Sequence, residues 1–218
     1  MLEVQDSDAE TVEKMKKWWD ENGRTTVVGL VIGLGGVFGW SGYNTFQEQS
    51  AEAASLLYQQ VVTSAEQDKF EDVRKHGDVL MTEFPDSGYA PLTALYLAKA
   101  ALADKRPDEA TAHLTWVKGN APLPELQLVA TTRLARLALD AGKLDEAQAL
   151  LDGAEPGKFK NMFAIVRGDL LLKQGKPAEA RKAYEEAMEE LSIGNGEYQR
   201  LRLKLDDLGT LNVSADAS

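Results

Sequence analysis

Hydrophobic residues follow two different rhythms along the chain. Residues 25–47 hold no Asp, Glu, Lys, Arg or His and read Thr-Thr-Val-Val-Gly-Leu-Val-Ile-Gly-Leu-Gly-Gly-Val-Phe-Gly-Trp-Ser-Gly-Tyr-Asn-Thr-Phe-Gln. At ~1.5 Å per residue, a helix of this run reaches about 34 Å, enough to cross the hydrocarbon of a bilayer. From Glu48 onward the apolar positions return every three to four residues, in blocks punctuated by Gly, Pro, Asp and Lys. That is the pattern of amphipathic helices packed on one another. It predicts an all-α chain: a leading segment at 1–24, one transmembrane helix at 25–46, a helical domain at 47–209 and a flexible tail at 210–218. Residues 1–9 are expected to be disordered, with Glu10–Asp20 able to extend the helix.

The helical domain repeats itself. Ala135-Arg-Leu-Ala-Leu-Asp-Ala-Gly-Lys-Leu-Asp-Glu-Ala147 matches Gly168-Asp-Leu-Leu-Leu-Lys-Gln-Gly-Lys-Pro-Ala-Glu-Ala180 at a shift of 33. Stepping back 37 from Ala147 reaches Asp108-Glu109-Ala110, and another 37 reaches Glu71-Asp72-Val73. A helix–turn–helix unit at a period of about 34 is that of the tetratricopeptide repeat, and stacked units form a solenoid. About four units fit, at 48–85, 89–122, 125–158 and 159–192. Small residues are required where paired helices cross: Gly168 with Ala180, Ala135 with Ala147, Ala98 with Ala110, and Val61 with Val73 in the degenerate first unit. Gly175 and Gly142 make the turns, with Lys105 in the equivalent place. After Ser192–Gly196, the stripe Tyr198, Leu201, Leu205, Leu208 predicts a helix capping the end of the stack.

Charge adds an orientation. Lys14, Lys16, Lys17 and Arg24 precede the apolar run, whereas the first basic residue after it is Lys69. Basic residues flanking a span stay in the cytoplasm, so the domain is expected on the far side, in the periplasm of a bacterial inner membrane. Trp18, Trp19, Trp40 and Tyr43 sit where interfacial aromatics belong. The run is too long, and its leading segment too acidic, for a cleavable signal peptide. Gly29-x-x-x-Gly33 and Gly35-x-x-x-Gly39 are candidate sites for packing against another membrane helix.

The charge balance and residue types exclude several functions. Net charge is −11, and residues 48–218 hold 20 basic against 28 acidic side chains. Such a balance disfavours nucleic acid as a partner. With no cysteine in the chain, thiol catalysis, zinc–thiolate sites and disulfides are ruled out. His76 and His113 lack a second ligand at helical spacing, and the Gly-Lys pairs at 142–143 and 175–176 lack the upstream glycine of a phosphate loop. Neither catalytic nor metal-binding residues are assigned, nor any cofactor. The expected function is binding without chemistry. In tetratricopeptide repeats the concave face is lined by the first helix of each unit. Transferred here, that lining is Tyr58, Val62, Leu95, Lys99, Leu102, Thr132, Arg136, Leu139, Met162, Ile165, Asp169 and Leu172. It is mostly aliphatic with scattered charges, lacks a dense basic clamp, and suits extended polypeptide or a partner's surface.

Several short motifs also carry a resemblance. They are Lys17-Trp-Trp-Asp-Glu-Asn-Gly23, Gly39-Trp40, Ala53-Ala-Ser-Leu-Leu-Tyr-Gln59, Gly88-Tyr-Ala90, Leu134-Ala-Arg136, and the Arg167-Gly168 … Gly175-Lys176 … Ala180-Arg181 block. In this order, over nearly the full length, the chain resembles the YfgM family of ancillary subunits of the bacterial Sec translocon, departing most at the C-terminus and in residues 64–88. The resemblance implies a non-catalytic, chaperone-like periplasmic subunit. Its implied partners are SecYEG, a PpiD-type membrane-anchored chaperone, and emerging or unfolded polypeptide clients. The alternative is a structural adaptor for envelope assembly or cell division that holds only folded proteins.

Overall fold

A computed structural model describes residues 3–189, 191 and 196–215. Every regular element among them is helical. The chain separates into two units, Met1–Ala53 and Ala54–Ser218.

The described residues of the first unit lie within one long helix, α1 (Glu3–Glu66). Its apolar residues point outward on all sides: Leu30, Ile32, Phe38 and Trp40 are 62, 70, 72 and 69% exposed. A helix apolar all round belongs in a membrane or a protein core. This one is long and apolar enough to cross a membrane, and its most apolar stretch is covered by no part of the protein. Gly29, Gly33, Gly35 and Gly39 likewise have open space where a Cβ would stand. One expectation changes here. The helix starts at Glu3, not beyond residue 9, because neither Gly nor Pro interrupts residues 3–22 and acidic residues in a first turn suit the positive end of the helix dipole. The helix also runs on past residue 46, where nothing in the sequence stops it.

The second unit stacks helical hairpins. The end of α1 pairs with α2 (Phe70–Glu83), α3 (Ala90–Ala103) with α4 (Pro107–Asn120), α5 (Pro124–Asp140) with α6 (Leu144–Asp152), and α7 (Lys160–Lys173) with α8 (Pro177–Glu189). A 3₁₀ turn at Gly157–Phe159 leads into α7, and α9 (Gly196–Ala215) follows the last hairpin. The four hairpin turns share one geometry. Asp68, Lys105, Gly142 and Gly175 have φ of 53°, 59°, 74° and 74°. In the second turn, Arg106 N–H donates to the Ala101 carbonyl at 2.8 Å and Lys105 N–H to Leu102 at 3.0 Å. The corresponding pairs in the third are Lys143 to Ala138 and Gly142 to Leu139, and in the fourth Lys176 to Leu171 and Gly175 to Leu172. This double bond is the Schellman motif, which satisfies the orphan carbonyls of a helix end and demands a left-handed residue. Glycine fills it without strain; Lys105 and Asp68 do not.

Between the hairpins runs a segmented core. Val61, Ala65, Val73 and Ala100 form its first part. Ala94, Ala98, Ala110 and Leu114 belong to the second, and Ala135, Ala147, Leu151 and Val166 to the third. Small residues mark the crossings. Ala98, Ala110, Ala135, Ala147 and Ala180 are each at most 2% exposed. At Gly168 an added Cβ would stand 2.6 Å from Tyr184 Cδ1 and 2.9 Å from its Cζ. In the first unit Val61 and Val73, both fully buried, occupy these positions.

Helix α9 covers the far end. Leu201 and Leu208 are buried against Ala164, Ile165 and Tyr184. Lys204 pairs with Asp169 of α7, and Arg181 of α8 donates to the Leu205 carbonyl at 3.4 Å. The helix continues to Ala215, past the expected boundary at 209. Within Ser192–Gly196, residues 192–195 lie outside the described residues.

Candidate functional site: a groove along the first helices

The first helices of successive hairpins lie side by side, α3 against α5 and α5 against α7. Their shared face is hollowed into three adjoining depressions. The largest, about 600 Å³, is lined by Tyr58, Leu92, Leu95, Tyr96, Lys99, Leu102, Arg133, Arg136, Leu137 and Asp140, with Ala98 and Leu114 also reached. The second, about 380 Å³, is bounded by Arg136, Leu139, Asp140, Asp169, Leu172 and Lys173. The third, about 310 Å³, lies among Arg136, Ile165, Asp169, Glu197, Arg200, Leu201 and Lys204. Arg136 borders all three, so they form one continuous trough.

Aromatic rings wall one end. Tyr58 stacks on Tyr89 with centroids 5.2 Å apart and meets Tyr96 edge-on at 6.2 Å. Burial, together with the neighbouring Tyr96 and Tyr89, pushes the Tyr58 phenol above its ordinary pKa, so it stays a neutral donor. Lys99 lies over the Phe70 ring at 5.7 Å. Leu102 is 42% exposed, an apolar contact left open to a partner. Arg133 and Arg136 stand one helical turn apart on α5. Burial, then repulsion from Arg136, lowers the Arg133 pKa, yet a guanidinium remains charged throughout.

The other end is closed by a polar knot. Tyr184 O–H donates to Asp169 Oδ1 at 2.6 Å, and Lys204 bonds the same oxygen. Burial, and then the Asp169 carboxylate, drives the Tyr184 pKa upward. Asp169 is thus committed to structure.

The residues assigned from repeat phase divide into groups. Tyr58, Leu95, Lys99, Leu102, Arg136, Asp169 and Leu172 line the trough. Leu139 and Ile165 reach it only at its edge, being 4 and 5% exposed. Thr132 does not line it. It is fully buried, with its hydroxyl donating to the Val129 carbonyl at 3.0 Å. Val62 and Met162 are half-buried and border none of the three depressions. Sequence phase missed Arg133, Tyr96, Leu92 and Leu137. For Arg133 and Leu137 the signal is the phase of α5, which turns Thr132 inward; Leu92 and Tyr96 lie on α3, one turn before Leu95 and Lys99 respectively. No group of three or more His, Asp or Glu side chains suited to a metal occurs among the described residues.

Against known proteins, residues 16–210 match the model of a tetratricopeptide repeat-like domain. The chain is 28% identical over 198 residues to the ancillary SecYEG translocon subunit of Haemophilus influenzae, covering 90% of this chain and 95% of that one. The Escherichia coli protein of the same name is 29% identical over 184 residues, covering 84 and 88%. That of Neisseria gonorrhoeae is 28% identical over 198 residues, covering 90 and 95%. These matches take in the apolar helix as well as the stacked hairpins, and the chain belongs to the tetratricopeptide repeat-like family that the model describes, the YfgM family which its short motifs resemble.

Proposed function

We propose that this protein is an inner-membrane-anchored binding module at the Sec translocon. Residues 1–24 face the cytoplasm, α1 crosses the membrane, and the helical stack works in the periplasm. There it holds emerging or unfolded polypeptide and a PpiD-type chaperone, and assists folding or handover without catalysis. The observation that carries this reading is the trough. It is an open, largely aliphatic and aromatic channel on the face that repeat proteins use for binding, in a chain 90% of which aligns with a translocon subunit. Four basic residues before the apolar run, and none for more than twenty positions after it, support the orientation. The Gly29/Gly33 and Gly35/Gly39 edges would let a translocon helix approach closely.

The test is site-specific photocrosslinking in membranes during export, with the probe at Leu102 on the trough or at Glu186 on the outside of α8. Exported chains should be captured from Leu102 and not from Glu186. Capture only of folded partners, from either position, would favour a structural adaptor. Protease added to spheroplasts should meanwhile remove the helical stack, and protection of residues 48–218 would reverse the orientation.

A further inference from the structure

The chain is strongly acidic, yet the largest of the three depressions of the trough is lined by three cationic side chains, Lys99, Arg133 and Arg136, against one acidic residue, Asp140. Five other arginines of the stack have carboxylate partners, while Arg202, exposed on α9, has none among the described residues. Arg74 pairs with Asp104, and Arg106 with Asp104 and Glu109. Arg167, Arg181 and Arg200 pair with Asp152, Glu185 and Glu197. Arg133 and Arg136 have no ion pair within 4.0 Å among the described residues, although Asp140 lies one turn beyond Arg136 on the same helix. They stand one turn apart and repel one another; burial first, and then this repulsion, lowers the Arg133 pKa. Two like charges a turn apart on a helix repel modestly, and an anion placed between the exposed Arg133 and the half-buried Arg136 would relieve both. Aliphatic and aromatic side chains surround them: Leu95, Leu102, Leu137, Tyr58 and Tyr96.

We infer that the trough selects polypeptide segments in which an acidic side chain is flanked by aliphatic or aromatic residues, the carboxylate docking between Arg133 and Arg136. The inference rests on the polypeptide-binding reading and names its substrate class. An internal Asp or Glu is favoured over a chain terminus because the trough continues past Arg136 in both directions. Residues flanking the docked carboxylate can therefore lie on both sides of it, between Tyr58 and Leu172. Planar guanidinium groups grip carboxylates with directed, charge-assisted hydrogen bonds, while the apolar walls hold the neighbouring side chains.

The experiment measures fluorescence anisotropy of labelled peptides with the full-length chain in detergent. The probe is acetyl-Ser-Leu-Phe-Glu-Leu-Tyr-Ser-amide, compared with versions carrying Gln or Lys in place of Glu. A fourth peptide carries Gln at that place and a free terminal carboxylate. We expect the Glu peptide to bind about tenfold more tightly than the Gln peptide and the Lys peptide to bind least, with the preference shrinking as salt rises. Arg133→Gln with Arg136→Gln should bring the Glu peptide to the level of the Gln peptide without loss of Gln-peptide binding. Arg202→Gln, which removes an exposed arginine of α9 outside the trough, should leave the preference intact. Equal binding of Glu and Gln peptides to the unaltered protein would overturn the selectivity while leaving polypeptide binding in place. Equal affinity for the free-carboxylate peptide and the Glu peptide would overturn the assignment to an internal residue. If none of the peptides binds, the trough is no polypeptide site and both readings fall together.

Discussion

The Gly168–Tyr184 crossing offers the sharpest test of the packing logic. A Cβ at position 168 would stand 2.6 Å from Tyr184 Cδ1 and closer still to Cε1, inside any contact that real side chains make. The ring cannot swing aside easily. It is fully buried, and its hydroxyl is tied to Asp169, which also holds Lys204. Gly168→Ala therefore meets an overpacking cost of about 1–3 kcal/mol. Alanine returns up to about 1 kcal/mol of helix propensity. With the full return the net loss is about 0–2 kcal/mol, which for a domain of this size lowers Tm by up to roughly 8 °C. Two other helical glycines serve as comparisons. At Gly77 the nearest atom is Leu97 Cδ2 at 2.7 Å, the tip of a side chain that can rotate, so Gly77→Ala should cost less. At Gly119 nothing lies within 4 Å, so Gly119→Ala should hold or raise Tm. The assay is thermal unfolding of the full chain in mild detergent, followed by circular dichroism and repeated in urea. Tyr184→Phe frees the ring from Asp169, so the double variant should be less destabilised than the two single losses predict, by about 0.5 kcal/mol or more. A Gly168→Ala protein as stable as the Gly119→Ala protein would refute the argument that a pinned ring sets this spacing.

Three further outcomes follow from the same structure. Lys105 takes a left-handed conformation that glycine adopts without strain, so Lys105→Gly should raise stability by about 1 kcal/mol and Gly142→Ala should lower it by a similar amount, both read by urea midpoint. Burial holds the His113 imidazole below its ordinary pKa, outweighing the pull of Glu109 at 3.9 Å. The native state thus binds fewer protons than the unfolded chain as pH falls below 6.5, the contribution is complete above that pH, and it is lost as pH drops through the lowered native value. His113→Gln should flatten the stability profile between pH 7.5 and 5.5 relative to the unaltered chain, and parallel profiles would contradict the assignment. In the trough, Leu95→Ala with Leu102→Ala should weaken peptide binding at least about fivefold, as apolar interface anchors commonly do. Charge reversal at the exposed Glu186 and Glu189 should change it little.

The repeat architecture was legible because its strongest constraints are local. A crossing needs a small residue and a Schellman turn needs a left-handed one, so Ala147 and Ala180, or Gly142 and Gly175, recur in the sequence at the structural period. Where the demand is met at a cost, the signal fades. Lys105 was found only by counting from its neighbours, and Asp68 carried no mark at all. The extent of α1 was less legible for the opposite reason. No residue between the apolar run and Glu66 opposes a helix, so the end of the apolar run leaves no break in the backbone.

The trough shows how far a fixed repeat phase can carry. Stepping from Arg136 in helical register selects Thr132 and Leu139 as its companions, and both turn toward neighbouring helices: Thr132 is fully buried and Leu139 packs with Leu170. The residue one turn before Arg136 that does reach the trough is Arg133. Spacings of three and four differ by about 100° around a helix, enough to exchange a core threonine for a surface guanidinium. The exchange decides the chemistry. With Thr132 in the lining, Arg136 is one charge in an aliphatic channel and recognition rests on apolar area alone. With Arg133 in its place, two cations face the same depression with no ion pair to either among the described residues, although Asp140 also lines it, and the trough acquires a preference for anionic side chains. A sequence reading that placed only one of these arginines could not separate the two cases, because the distinguishing feature is the absence of an ion pair in three dimensions. The Arg133→Gln, Arg136→Gln comparison therefore tests the phase of α5 as well as the ligand: if Arg136→Gln alone abolishes the preference and Arg133→Gln has no effect, the original phase is right and the second guanidinium is a bystander.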